Sequence, residues 1–291
     1  MTSNILLLTL LGALWGLSPS MGKLATTNGT HALALAFWSA LISGLILLLF
    51  CKIRSIRIGL NRQHILYYIV LGFTTLSGAQ VVLYMSAEFV PASILALIIS
   101  TAPIIAYVIT LSVGMQKFRW SNLGAVCLAV VAVLFLLLPK ASLPSREAIP
   151  WTLFALLTPT MFALSHILGA RLKPVSSQAI SLASGTLLAA AIQVLPFLVF
   201  NVGFYVPEFP PALGDSAIYI QGLATSLAFF VWYTLLDRAG PSFTSNVGFI
   251  VTVFGVLYGV AIFGESLNYW MILSAILIFI SISILGRHES N

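Results

Sequence analysis

The sequence predicts an all-α integral membrane protein of ten transmembrane helices, arranged as two inverted five-helix repeats with N- and C-termini in the cytoplasm. Three observations predict it. Of 291 residues, 60% are hydrophobic and only 7% are charged, with a mean hydropathy of +1.07, whereas a soluble domain has about a quarter of its residues charged. Ten stretches are apolar over roughly the 20 residues that a bilayer core about 30 Å thick requires. Small, polar and aromatic residues also recur at a nearly constant offset between the two halves of the chain.

The apolar stretches run over 4–24, 32–51, 63–86, 91–114, 120–138, 150–169, 178–200, 216–236, 241–263 and 268–286. They leave no room for a soluble domain. The first lacks a basic start and turns polar at Ser18, Pro19 and Ser20 before any small-residue cleavage site, so it reads as a retained span rather than a signal peptide. Trp120, Trp151 and Trp270 stand at span starts, where indole rings form interfacial belts. The segment 202–215, with Pro207, Pro210, Pro211 and its aromatics, reads as a linker resting on the membrane surface.

Basic residues orient the bundle, because short loops rich in Lys and Arg stay in the cytoplasm. With the N-terminus inside, the cytoplasmic side receives ten: Lys52, Arg54, Arg57, Arg62, Lys117, Arg119, Arg171, Lys173, Arg238 and Arg287. The other side receives Lys23, Lys140 and Arg146. The net charge of +6 therefore reflects topology. A nucleic-acid partner would need a basic face on a soluble surface, and here the charges fall in ones and twos at helix ends. The run from Lys52 to Arg62 is dense enough to meet anionic headgroups of the lipid bilayer. Cys51 and Cys127, at the end of one span and inside another, are expected to be packing residues rather than a disulfide or metal pair.

The repeat is read from offsets. Gly114 and Trp120 recur as Gly264 and Trp270; Ser77 and Tyr84 as Ser226 and Tyr233; Pro91 as Pro241; Ser18 as Ser165, with Trp15 answered by Phe162. The units are 1–140 and 141–291, joined through the Pro-rich stretch 139–150. A unit of five spans enters on one side and leaves on the other, so its second copy is upside down. Inverted repeats of this kind are a signature of secondary transporters, with a site near the midplane between the halves.

The stretch "GALWGLSPS" (12–20) places Pro19 inside the first span, where proline removes one helical hydrogen bond. In lipid the freed carbonyl must be satisfied by protein or by a water-filled cavity. Gly12 and Gly16, four residues apart, offer a face for close approach of a neighbouring backbone. Together these three residues are the expected hinge. Acidic residues fall at or near helix ends, so no midplane carboxylate stands ready to carry an ion, and Lys23 is expected to snorkel outward. The polar and aromatic residues that do lie inside spans fall at helical spacing: Trp15 and Ser18 on the first, Ser77, Gln80 and Tyr84 on the third, Phe162 and His166 on the sixth, Phe229 and Tyr233 on the eighth, and Asn246 on the ninth. Converging, they would wall a cavity for a small molecule that is part apolar and neutral or zwitterionic. No metal or other cofactor is expected. Neither HExxH nor GxSxG occurs and His166 has no acidic or Cys neighbour at three or four residues, which weighs against a membrane enzyme; a passive channel would need a continuous polar stripe.

Three stretches carry a likeness to a known family: "GALWG", "YMSAEFVPASILALIISTAPIIAYV" and "RAGPSFTSNVGFIVTVFGVLYGVAIFGESLNYWMILSAILI". Over essentially its whole length the chain resembles the drug/metabolite transporter superfamily, specifically its EamA-type exporters with two five-helix repeats. The Gly264–Glu265 pair fits that family's repeat, while Gly114–Met115 stands where the first repeat usually has Gly-Glu. The resemblance implies an inner-membrane exporter of small metabolites, similar to the exporters of aromatic and neutral amino acids. Other metabolites and lipophilic drugs are the alternative cargo.

Overall fold

The computed structural model describes residues 2–116, 118–137, 143, 145–175, 177–244 and 247–286. Every regular element longer than a bridge among them is helical, as the composition demands. Helices α1 (Thr2–Thr27), α2 (Ala32–Ile53) and α10 (Ala179–Asn201) are single long rods. The first contains Pro19 without interruption. The breaks lie in other spans. The third apolar stretch is α3 (Arg62–Gly72), a π-helical turn (Phe73–Ser77) and α4 (Ala79–Ala87). The fourth divides at Ser100 and Thr101 into α5 (Ala92–Ile99) and α6 (Ala102–Ser112), since Pro103 takes an early position of the new helix, where its missing N–H has no partner to lose. The sixth divides into α8 (Ala148–Ala155) and α9 (Leu157–Leu172).

The remaining helices are α7 (Trp120–Leu136), α11 (Leu213–Thr244), α12 (Val247–Phe263) and α13 (Tyr269–Gly286). Gly240, with φ of 78° and ψ of 170°, leaves helical geometry near the end of α11. Among the described residues, seven helical segments are long and apolar enough to cross a membrane, and α7, α12 and Tyr269–Leu285 are apolar but shorter.

Packing joins the two halves of the chain throughout. α2 lies on α10, α7 on α13 and α5 on α12, while α1 packs on α11 and α12, and α9 packs on α3, α4 and α6. Small residues permit the closest approaches. A methyl added at Gly16 would fall 3.0 Å from the backbone of Val251 and Gly255 in α12, and one at Gly255 would fall 2.6 Å from Cβ of Ala96 in α5. Ser274 and Ser281 of α13 donate to the carbonyls of Ala132 and Ala125 in α7, so hydroxyls supplement dispersion where lipid offers no hydrophobic drive between helices.

Two turns close one end of the bundle, called the Lys23 end below. The α1–α2 turn places Thr30 beside Asp215 at the start of α11. Asp215, 1% exposed, accepts from Thr30 Oγ1 (2.8 Å), from the Tyr205 hydroxyl and from the Glu208 N–H (2.9 Å). Of the segment 202–215, read from sequence as resting on the membrane, 213–215 open α11 and the rest is held partly against protein. Trp38 donates to the Tyr205 carbonyl at 2.8 Å, and Phe204 packs on Phe37 and Trp38, whereas Phe209 is 91% exposed.

Candidate functional site

Polar side chains meet in the interior where α2, the π turn and α4, α10 and α11 come together. The space between them is small, about 10 Å³, room for one water molecule. Ser39 and Ser43 reach it from α2, Ser77, Gln80 and Tyr84 from the third apolar stretch, and Gln221 and Thr225 from α11. Each pair on α2 and α11 is four residues apart, one turn of one helix face. Ser18 of α1 joins this group, because Gln221 Nε2 donates to Ser18 Oγ (3.0 Å) and to Thr225 Oγ1 (3.1 Å). Tyr84 is fully buried beside Ser18 and Ser39. Ser77 donates to Gln193 Oε1, and Gln193 Nε2 to the Ile69 carbonyl, which ties the π turn to α10. The carbonyl oxygens of Gln80 and Gln221 are buried without a hydrogen-bond partner.

The residues expected from sequence divide into groups. Ser18, Ser77, Gln80 and Tyr84 come together in this polar cluster. Trp15 and Phe229 meet in an aromatic cluster, their ring centroids 6.4 Å apart, with Trp232 5.1 Å from Trp15. The two groups are continuous: Gln221, Thr225 and Phe229 form one stripe down α11, and Ser18 and Trp15 one stripe down α1. Phe162 is half-buried and His166 exposed on α9, and neither lines the small cavity. Asn246 and the side chain of Tyr233 lie outside the described residues. Gly12 and Gly16 face α12, where a methyl at Gly12 would fall 2.4 Å from Ile250 Cγ2. Sequence reasoning missed Ser39, Ser43, Gln221 and Thr225, although their spacing of four was visible.

A second polar feature lies at the Lys23 end. Lys23 is not free to snorkel: its Nζ donates to Glu265 Oε1 at 2.6 Å and lies 4.9 Å from the centre of the Phe263 ring. Glu265 also accepts from the N–H groups of Ala92 (2.8 Å) and Ser93 (2.9 Å) and from the Ser93 hydroxyl (2.6 Å), so it satisfies the first amides of α5. Gly264, at φ of 64°, makes the turn that presents it. Gly259 leaves the room, since a methyl there would fall 2.6 Å from Glu265 Oε2. Burial alone would push the Glu265 carboxyl up, but the hydrogen bonds from Lys23 and Ser93, with the Lys23 charge, hold it below its ordinary 4.5. Such a group contributes stability that is full above about pH 4.5 and is lost as pH falls through the depressed value. Unfolding followed in detergent is therefore expected to show a stability loss on the acid side that Glu265→Gln lacks; parallel acid profiles for the two proteins would contradict it.

Comparison with known proteins places these features. Solved structures share the fold: one, described only as "Crystal structure of protein", superposes with a TM-score of 0.64 at 14% identity over 100% of this chain and 100% of its own. Among curated proteins none matches. The model of the EamA-like transporter family matches twice, over residues 2–138 and 149–287, each match covering one half of the packed pairs described above. By those two matches the chain belongs to the EamA-like transporter family, within the drug/metabolite transporter superfamily, and is a multi-pass membrane protein.

Proposed function

We propose that this protein is a secondary transporter of ten spans in two inverted five-helix units, 1–140 and 141–291, with both termini cytoplasmic. It carries small amphipathic metabolites, aromatic or neutral amino acids foremost, outward across the inner membrane by alternating access. The observation that carries the reading is a polar, uncharged cavity between the halves, with an aromatic stripe next along α1 and α11; an ion pair joins α1 to the α12–α13 turn at the Lys23 end. The packing supports it: α2 on α10, α5 on α12 and α7 on α13 pair corresponding spans of the two units, and α1 on α11 and α12 is answered by α9 on α4 and α6. The shorter helices α7 and α12, 17 residues each, reach about 25 Å, within the range of a span.

In this reading the structure is the conformer closed at the Lys23 end, which is the outer one. Transport then requires the Lys23–Glu265 pair to part while the other end closes, with Trp15, Phe229 and Trp232 moving against α9, where Phe162 and His166 stand. Counterflow of radiolabelled phenylalanine, tryptophan, alanine and methionine into liposomes containing the purified protein tests it, with and without an imposed pH gradient. Saturable and mutually competing fluxes are expected. No flux above empty liposomes would withdraw the amino-acid assignment, and cysteine labelling that reached the cavity from one side only under every condition would withdraw alternating access.

A further inference from the structure

We infer that the Gln80–Gln221 cavity is a head-group seat for a primary ammonium or comparable donor-rich group, and that the aromatic stripe of Trp15 and Phe229 receives the apolar remainder of the same molecule. The inference deepens the transporter reading and rests on it for the ligand's passage, not for its binding.

Two buried carbonyl oxygens, Gln80 Oε1 and Gln221 Oε1, line one cavity and neither has a donor. Gln221 is 3% exposed. Its amide nitrogen is already committed to the Ser18 and Thr225 hydroxyls, so the carbonyl is the end left over. An unpaired buried acceptor costs free energy comparable to a lost hydrogen bond, and two in one small space invite a donor. No Lys, Arg, Asp or Glu is among the residues lining the space. A carboxylate would find no cation there, while an ammonium would find two amide carbonyls with serine and tyrosine hydroxyls, all able to accept.

Size agrees with chemistry. The cavity of about 10 Å³ holds one water, and an ammonium group is close to a water molecule in bulk. From Gln221, Thr225 lies one turn and Phe229 two turns along α11, about 6 and 12 Å at 1.5 Å per residue. An amine carrying an aromatic ring two or three bonds away spans the first of these distances; Trp15, three residues or about 4.5 Å along α1 from the Ser18 that bonds Gln221, stands at the height such a ring reaches, with Phe229 beyond it.

Equilibrium binding to the purified full-length protein in detergent decides the matter, with phenethylamine and 3-phenylpropionate as probes of equal ring size and opposite head group. The unaltered protein is expected to bind phenethylamine at least tenfold more tightly than 3-phenylpropionate. Gln80→Leu and Gln221→Leu are each expected to weaken phenethylamine about tenfold or more, the scale of a hydrogen bond to a charged group. Gln80→Glu, which keeps an acceptor and adds a negative charge, is expected to hold or tighten it. Equal binding of the two probes, or preference for the acid, overturns the inference on the unaltered protein alone, whatever the fate of the variants. Loss of phenethylamine binding in a folded Gln80→Glu together with retention in Gln80→Leu overturns it as well. Binding as expected with no amino-acid flux in liposomes would instead withdraw the amino-acid assignment and leave the seat standing.

Discussion

Glu265→Ala is expected to destabilise the protein by about 3–5 kcal/mol, the range for breaking a buried pair from one side, and more than Lys23→Ala does. The asymmetry follows from the partners each leaves behind. Without Glu265, the N–H groups of Ala92 and Ser93 and the Lys23 ammonium lose their acceptor together. Without Lys23, the carboxylate keeps both amides and the Ser93 hydroxyl. Lys23 is 20% and Glu265 8% exposed, so water relieves the lysine more readily than the acid. Thermal unfolding in detergent of both single variants and of Lys23→Met/Glu265→Gln gives the comparison. The double variant should recover part of the loss, because an uncharged pair leaves no buried charge unpaired. Equal effects of the two alanine variants would show that the amides of α5 do not depend on Glu265. The pair is also the proposed outer closure. A cysteine at Ser39, in a chain whose own Cys51 and Cys127 are serine, is expected to react faster with an impermeant maleimide from the outside when Lys23 is methionine.

Gly16→Leu is expected to be the second large effect, and on folding rather than on rate alone. As a hinge element, Gly16 would tolerate bulk in a folded but slow transporter. The packing assigns it a contact that bulk cannot enter: a single Cβ meets the backbone oxygen of Val251 and the backbone nitrogen of Gly255 at 3.0 Å, and backbone cannot rotate aside as a side chain can. Overpacking of a tight site costs about 1–3 kcal/mol. A leucine, which adds three more carbons beyond Cβ, belongs at or above the upper end. Gly16→Ala should sit between. The folded fraction recovered in detergent, measured by size exclusion beside the unaltered protein, reads the series. A fully folded Gly16→Leu with slowed counterflow would return the residue to the hinge.

What the sequence made legible is the part governed by local spacing. The apolar stretches, the helical faces and the convergence of Ser18, Gln80 and Tyr84 follow from periods of 3.6 residues and from the scarcity of polar groups inside a membrane. Lys23 and Glu265 were both visible, yet they are 242 residues apart, and no spacing rule links the end of the first helix to the turn before the last. The position of the helix breaks was also hidden. Pro19 advertises a break, but α1 runs through it, held on α11 and α12, while departures from α-helix among the described residues fall at Phe73–Ser77, Ser100–Thr101, Leu156 and Gly240. Proline states which hydrogen bond is lost; neighbouring helices determine whether the axis bends.

The π turn has a consequence of bookkeeping in angle. A helix advances about 100° per residue, and a π turn accommodates one residue more than the α-helix would in the same rise. Everything after Ser77 is therefore rotated relative to everything before Gly72 by the step of that one residue. Upstream, Tyr68 is aimed at α10, where it fills the space over Gly185; downstream, Gln80 and Tyr84 are aimed at α2 and α11. One continuous α-helix could not serve both partners with these side chains. Deleting one residue within 73–77 would leave every cavity side chain in the chain and swing Gln80 and Tyr84 by about 100° off their mark. The chemistry of the cavity is thus set by a count as much as by composition.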